Sequence, residues 1–301
     1  MTRLRIATRG SRLARWQAER VGALLGGEIS YVEVVTTGDT RQDVDLHAIG
    51  GTGVFVKEVQ QAVLDGRADI AVHSAKDLPA RTPSGLLLAA VPERADPRDA
   101  LVGAALDTIP AGGRVGTSSV RRRAQLGYMR PDLGFGPLRG NIETRLRKQR
   151  DEGFDAVVVA YAALQRLGLA QHAAEVLEPS TMLPQVAQGA LAVECRADDA
   201  RTSELLGAID APAVHRIVRA ERAFLDALGG GCTLPCGALG HDDGPAIALD
   251  ALLASLDGHV VLRTRGVGED PDRVGRMAAD DLLAKADDLL ATEGLVSERE
   301  R

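Results

Sequence analysis

Three stretches of the chain carry arginine with serine or threonine where a strand would turn into a helix. They are Thr8-Arg9-Gly10-Ser11, Thr117-Ser118-Ser119-Val120-Arg121-Arg122-Arg123 and Leu138-Arg139-Gly140-Asn141-Ile142-Glu143-Thr144-Arg145. A helix N-terminus offers free N–H groups and the positive end of the helix dipole. Arginine adds bidentate pairing to carboxylate or phosphate. One such turn alone is ordinarily a capped helix. Three of them, gathered at the carboxyl ends of parallel strands, make a site for a ligand with several carboxylates or phosphates. The charge distribution points the same way. Between Arg114 and Arg150 lie nine arginines and one lysine against only Asp132 and Glu143, in a chain of net charge −6. A local basic excess on an acidic chain suits a small polyanion rather than a nucleic acid, the bland alternative being a solvated basic helix face.

Two further motifs carry reactive groups. His73-Ser74-Ala75-Lys76-Asp77-Leu78-Pro79 follows an apolar strand and sets a carboxylate, Asp77, among cations. Asp77 can donate a proton or stabilise a cationic intermediate, or it can pair with Lys76 or cap a turn. Gly229-Gly230-Gly231-Cys232-Thr233-Leu234-Pro235-Cys236 presents a thiol on a loop that the glycines make flexible. The readings open there are a tether, a structural cysteine, or half of a metal site that no other cysteine pair completes. No metal is expected. Cys195 reads as core, and His47, His172, His215, His241 and His259 as surface or satisfied core. Phosphate-loop, HExxH and GxSxG motifs are absent.

The elements that position these groups alternate. Strands are expected at 5–8, 31–35, 69–72 and 86–91, with helices opening at Ser11 and over 54–64. Pro92 to Asp99 reads as a linker or domain crossing. A second unit follows, with a strand-to-helix turn at 115–119, a helix over 142–152 capped by Asn141, and an apolar strand over 155–160. A strand at 190–194 returns to the first sheet. After residue 211 come a helix over 213–228, strands at 234–239, 247–255 and 260–265, and a helix from Pro271 to about 290. The fold class expected is α/β: domain 1 over 1–91 with a return at 190–210, domain 2 over 96–184, and a small α+β domain 3 over 212–301.

Composition sets the remaining bounds. The chain has 301 residues, 45% of them apolar and 26% charged, which supports folded domains and excludes wholesale disorder. No apolar run is long enough to span a bilayer, and the N-terminus lacks a signal-like apolar stretch. Three cysteines make no disulfide framework. A cytoplasmic location with neither nucleic-acid nor membrane partner is expected, and no heptad seam or other assembly signal is present.

Taken together, Arg5-Ile-Ala-Thr-Arg-Gly-Ser11, Val72-His-Ser-Ala-Lys-Asp-Leu-Pro79, Gly116-Thr-Ser-Ser-Val-Arg-Arg122, Leu138-Arg-Gly-Asn-Ile-Glu-Thr-Arg145, Gln188-Gly-Ala190 and Gly230-Gly-Cys232 occur in the order seen in hydroxymethylbilane synthases, also called porphobilinogen deaminases. The chain resembles that family over nearly its whole length. The resemblance implies a transferase of tetrapyrrole (heme) biosynthesis that joins four porphobilinogen molecules head to tail, releases ammonia and hydrolyses the product to hydroxymethylbilane. It implies a dipyrromethane cofactor on a thioether to Cys232. It places the catalytic carboxylate on Asp77, where it would assist loss of the amino group and stabilise the azafulvenium cation. Cofactor contacts would fall on Ser74, Lys76, Asp77, Ser119, Arg121, Arg122 and Gln188. Contacts to porphobilinogen and the growing polypyrrole would fall on Arg9, Ser11, Phe55, Arg139, Arg145 and Arg166. The implied fold is a pair of periplasmic-binding-protein-like α/β domains around a cleft, with the small third domain carrying Cys232.

The chain departs from the family pattern in places. Thr52 and Ala48 stand where many members have lysine, a charge that either Lys57 or Arg41 supplies or the site does not need. Cys236 stands where an aliphatic residue is usual. A rival reading, a two-domain receptor for an anion, explains the arginines but leaves the cysteine loop without a purpose.

Overall fold

The computed structural model describes residues 3–36, 53, 55–229 and 234–292. The first sheet is built from β1 (Arg3–Arg9), β2 (Glu28–Val34), β3 (Ile70–Ser74), β4 (Leu86–Ala90) and β10 (Leu191–Arg196), in the order β2-β1-β3-β10-β4. β1 runs parallel to β2 and β3, and β10 runs antiparallel to β3 and β4. The second sheet has the same plan. β5 (Asp99–Gly103), β6 (Arg114–Gly116), β7 (Gly134–Gly136), β8 (Ala156–Ala160) and β9 (Ala173–Leu177) lie in the order β7-β6-β8-β5-β9. Here β5 is the antiparallel strand, set between β8 and β9. Each sheet therefore takes one reversed strand at a point where the chain crosses from the other half. This is the paired α/β architecture expected, with both strand groups built around apolar runs such as the fully buried 156–160.

Helices cover the sheets for local reasons. In α1 (Arg12–Leu25), the Ser11 side chain accepts from Ala14 N, and Gln17, Ala18, Val21 and Gly22 form the buried stripe. α2 spans Lys57–Leu64, three residues shorter than expected at its start. Gly53 (φ +89°) opens a turn there, and Val56 holds the cap position without a side-chain hydrogen bond. α3 (Val120–Met129) and α4 (Ile142–Asp151) are capped by Ser119 and Asn141. α5 (Tyr161–Arg166) and α6 (Ala200–Gly207) are shorter.

The C-terminal part pairs β11 (Cys236–Asp243), β12 (Ala246–Ala254) and β13 (Val261–Gly268) antiparallel, in that order, against α7 (Pro212–Ala227) and α8 (Pro271–Thr292). Among the described residues, no helix is long and apolar enough to cross a membrane.

Three short strands escape the sequence reading. β5 begins at Asp99, the last residue of the expected linker, and its first residue is a fully buried aspartate that breaks the apolar signature. β7 has three residues, two of them glycine, and β9 follows a 3₁₀ turn. The linker itself is paired. Ala95 N donates to Gly189 O, and Leu191 N to Glu93 O, so two chain segments cross side by side between the sheets.

That crossing is bolted to the C-terminal part by Glu221 of α7, which is fully buried. Its carboxylate accepts from Arg94 Nη1 (2.6 Å) and Nη2 (3.2 Å), from Ala187 N (2.6 Å) and from Gly240 N (2.8 Å). Glu221→Ala leaves a buried guanidinium and two amides without an acceptor. It is expected to destabilise the chain by about 3–5 kcal/mol, read as an earlier urea unfolding transition.

Candidate active site

Sequence and sheet order bring the three arginine-bearing turns to one place. Each follows the carboxyl end of a parallel strand: β1, β6 and β7. The turns after β6 and β7 are stitched together by Ser118, whose Oγ donates to Leu138 O (3.2 Å) and accepts from Leu138 N (2.9 Å). The third wall is the turn after β3, where Ala75–Asp77 form a single 3₁₀ turn. Between these walls lies a cavity of about 600 Å³.

Most of the expected site residues line it: Arg9, Ser11, Phe55, Ser74, Lys76, Asp77, Ser119, Arg121, Arg122, Arg139 and Arg145. The Arg9 guanidinium stacks 4.4 Å over the Phe55 ring, a cation–π contact that fixes both side chains. Ser11 and Ser119 spend an oxygen lone pair on helix amides, which leaves each hydroxyl proton to a ligand. Ser74 Oγ accepts from Gln17 Nε2 at 2.7 Å. Arg145 is steadied by its Nε donating to Gly140 O. Burial and the neighbouring Arg122 push Arg145 down to about 10, so it stays charged at neutral pH. The 114–150 basic run thus divides. Arg121, Arg122, Arg139 and Arg145 turn into the cavity, whereas Arg130, Arg147 and Lys148 pair with Asp132, Asp151 and Glu152 at the surface.

Two expected site residues are placed outside the lining, and a third lies outside the described residues. Gln188 is fully buried one layer behind the lining, its Oε1 accepting from Lys76 Nζ at 3.2 Å. Arg166 lies outside the cavity lining. Its Nη2 donates to Gly189 O (2.7 Å) and its guanidinium sits 5.4 Å over the Trp16 ring. Cys232 lies outside the described residues, as do Ala48, Thr52, Arg41 and His47. Of the described residues that follow it, Leu234 and Cys236 line the cavity, and Cys236 is buried there. Cys195 is core, as read.

One site residue was missed altogether. Asp99, fully buried at the start of β5, accepts from Arg121 Nη2 (2.7 Å), from Arg122 Nε (3.1 Å) and Nη2 (2.7 Å), and from Gln188 Nε2 (2.9 Å). Burial raises its pKa, but Arg121, Arg122 and the Gln188 hydrogen bond hold the carboxyl well below the usual carboxylate range. Its only trace in the sequence is an aspartate heading an apolar pentapeptide, beside a cation pair twenty residues on.

Lys76 completes the basic wall. Burial lowers it to about 8, with Arg122 and Arg145 pushing the same way and Asp77 and Asp99 opposing. Glu33 and Glu143, the other acids in the lining, are taken up by Arg15 and Arg12. Among the described residues the lining therefore holds more guanidinium and ammonium groups than carboxylates, and Asp77 is the acid that Arg12 and Arg15 do not take up. Arg121 Nε, buried in the wall, has no hydrogen-bond acceptor. This donor set fits a compact group bearing several carboxylates.

Comparison with known proteins agrees with this chemistry. The family model described as porphobilinogen deaminase, dipyromethane cofactor binding domain, matches residues 4–204, and that of the porphobilinogen deaminase C-terminal domain matches residues 216–284. A porphobilinogen deaminase of Roseiflexus sp. (strain RS-1) is 46% identical, covering 92% of this chain and 95% of its own. One from Xanthomonas euvesicatoria pv. vesicatoria (strain 85-10) is 47% identical, covering 95% and 97%. Among solved structures, the periplasmic VFT2 domain of Bordetella pertussis BvgS covers 69% of this chain and 86% of its own at 16% identity, with a TM-score of 0.42. Two family models in tandem and close relatives matched along almost their full length place the chain in the porphobilinogen deaminase family.

Proposed function

We propose that this cavity carries the family's reaction through Asp77 and the cations that surround it. The chain is a hydroxymethylbilane synthase: it condenses four porphobilinogen molecules head to tail with loss of ammonia, and releases hydroxymethylbilane after hydrolysis. Its cofactor is dipyrromethane, which when bound supplies the pyrrole carbon that starts the chain. The observation that carries the assignment of roles is the Asp77 carboxylate set among the cations of the described lining.

Each porphobilinogen brings an acetate and a propionate. Lys76, Arg121, Arg122, Ser119 and Ser74, with Gln188 behind them, are assigned to the carboxylates of the resident group. Arg9, Ser11, Arg139 and Arg145 are assigned to incoming substrate, and Phe55 to the face of its ring. Arg166 is assigned to the far end of the growing polypyrrole, because it lies beside the crossing rather than in the lining. The cations hold the side-chain carboxylates and leave the ring near Asp77. There the carboxyl can hand a proton to the departing amine, and its carboxylate then faces the positive charge left on the substrate ring. A cavity with basic walls would otherwise repel that charge. Cys232 is assigned the thioether, since the chain that follows it runs along the cavity wall through Leu234. We read the protein as a cytoplasmic monomer. A chain with three cysteines has no disulfide framework, which suits a reducing compartment.

Three outcomes test these roles. Intact mass under denaturing conditions is expected to exceed the sequence mass by two linked pyrrole units, an excess absent from Cys232→Ala; an adduct retained in that variant moves the tether elsewhere. Asp77→Asn is expected to slow ammonia release about 10²–10⁴-fold with the adduct still attached, the range for loss of a general acid. Lys76 loses its charge as pH rises through about 8. Adduct formation by the stripped chain incubated with porphobilinogen should therefore fall above that pH. In Lys76→Gln it should be slow throughout, with that alkaline limb gone.

A further inference from the structure

The cations assigned to the resident group and to incoming substrate come from different parts of the molecule. Lys76 follows β3 in the first sheet, Arg121 and Arg122 belong to α3 of the second, and Arg145 to α4. Two sheets joined by a crossing can shift against each other, and a displacement of about 1 Å at a reacting centre can cost 10²-fold in rate. Something must keep the cations of one sheet in register with those of the other.

The Asp99 carboxylate is placed to do so. Oδ1 accepts from Arg122 Nε and Nη2 and from Gln188 Nε2, while Oδ2 accepts from Arg121 Nη2. The opposite arms of the guanidiniums are pinned to backbone: Arg121 Nη1 donates to Leu183 O (2.7 Å) and Arg122 Nη1 to Val158 O (2.9 Å). Gln188 then spans the crossing. Its amide nitrogen also donates to Pro97 O (2.7 Å), and its oxygen receives Lys76 Nζ. Its orientation is fixed by its partners, because an amide with one acceptor and one donor end can satisfy Lys76 and Asp99 together in one sense only. The backbone on either side is also held. Ala187 sits at φ +58°, its N–H donating to Glu221, and a Cβ on Gly189 (φ +87°) would lie 2.4 Å from Ala95 O.

We propose that Asp99 is a positioning residue for the reaction: through Gln188 it keeps Lys76 of the first sheet in register with Arg121 and Arg122 of the second. The inference rests on the function given above, and wild-type turnover of porphobilinogen tests that function separately. Asp99 is fully buried and lies outside the cavity lining. It acts through the two arginines and through the amide. The other charged groups facing Lys76 are Asp77, on its own turn, Arg122 on α3 and Arg145 on α4.

Asp99→Asn preserves shape and removes the counter-charge. In the full chain as purified, the adduct-bearing fraction is expected to fall several-fold. Among the molecules that carry the adduct, kcat should fall at least tenfold with KM changed less. The alkaline limb of adduct formation should move to lower pH, because Lys76 loses a carboxylate that favours its charged form. Asp99→Glu restores the charge but displaces the arginines, so it should return the limb and leave kcat low. Should Asp99→Asn not fold, Gln188→Met leaves the carboxylate and both ion pairs in place and removes the amide that joins Asp99 and Pro97 to Lys76. It is expected to lower kcat and shift the limb with little change in unfolding temperature. A variant that unfolds earlier yet keeps kcat and limb within twofold of wild type would overturn the proposal and leave Asp99 a structural residue.

Discussion

Two guanidiniums cannot stay charged in a dry protein wall unless a counter-charge lies within hydrogen-bond reach of both. Arg121 and Arg122 are adjacent in sequence, so each also raises the cost of the other. One buried carboxylate, Asp99, meets that requirement for the pair, and much else follows from where it stands. It begins β5, the reversed strand of the second sheet, at the point where the chain has just crossed from the first. The antiparallel insertion in each sheet is therefore more than a topological feature. It brings the crossing segments up to the cavity, so the residue that neutralises the cations belongs to the segment that joins the two halves.

A cavity for a polyanion needs surplus positive charge, and surplus positive charge is destabilising when nothing is bound. The chain limits that cost in two ways. Deep cations share buried partners, as Arg121 and Arg122 share Asp99. Shallow ones near the mouth have exchangeable surface partners, such as Arg12 with Glu143 and Arg15 with Glu33. Exposed pairs of this kind contribute about 0–1 kcal/mol, so an arriving carboxylate displaces them at little cost. The deep set is fixed and the outer set can change partners, which suits a site that holds one group permanently while a chain grows past it.

How much of this could be read from the sequence depends on how local each feature is. The three capped turns were legible because Ser11, Ser119 and Asn141 cap helices within three residues of themselves, and their arginines lie within the same turns. The apolar strand 156–160 was legible because it is buried on both faces. Asp99 was not, because its meaning lies in partners 22, 23 and 89 residues away. β7 and β9 escaped for a related reason: strands of three to five residues acquire their identity from neighbours rather than from propensity. Gln188 and Arg166 were named as binding residues, yet the folded chain sets one behind the lining and the other beside the crossing. Motif matching marks which residues serve a site and not at what depth.

The placement of Glu221 carries the same logic into the C-terminal part. Its carboxylate fixes Arg94 on one crossing segment, Ala187 on the other, and Gly240 in β11. β11 begins at Cys236, at the cavity wall. The small antiparallel sheet is thus registered against the hinge rather than against either large sheet alone. Any motion that opens the cleft about the crossing carries that sheet with the hinge, and with it the wall that Leu234 and Cys236 form. A group tethered close to that wall would hold its distance from Gln188 while the outer faces of the cleft move apart. The two buried carboxylates therefore divide the work: Asp99 sets the cations against the crossing, and Glu221 sets the cavity wall against the same crossing.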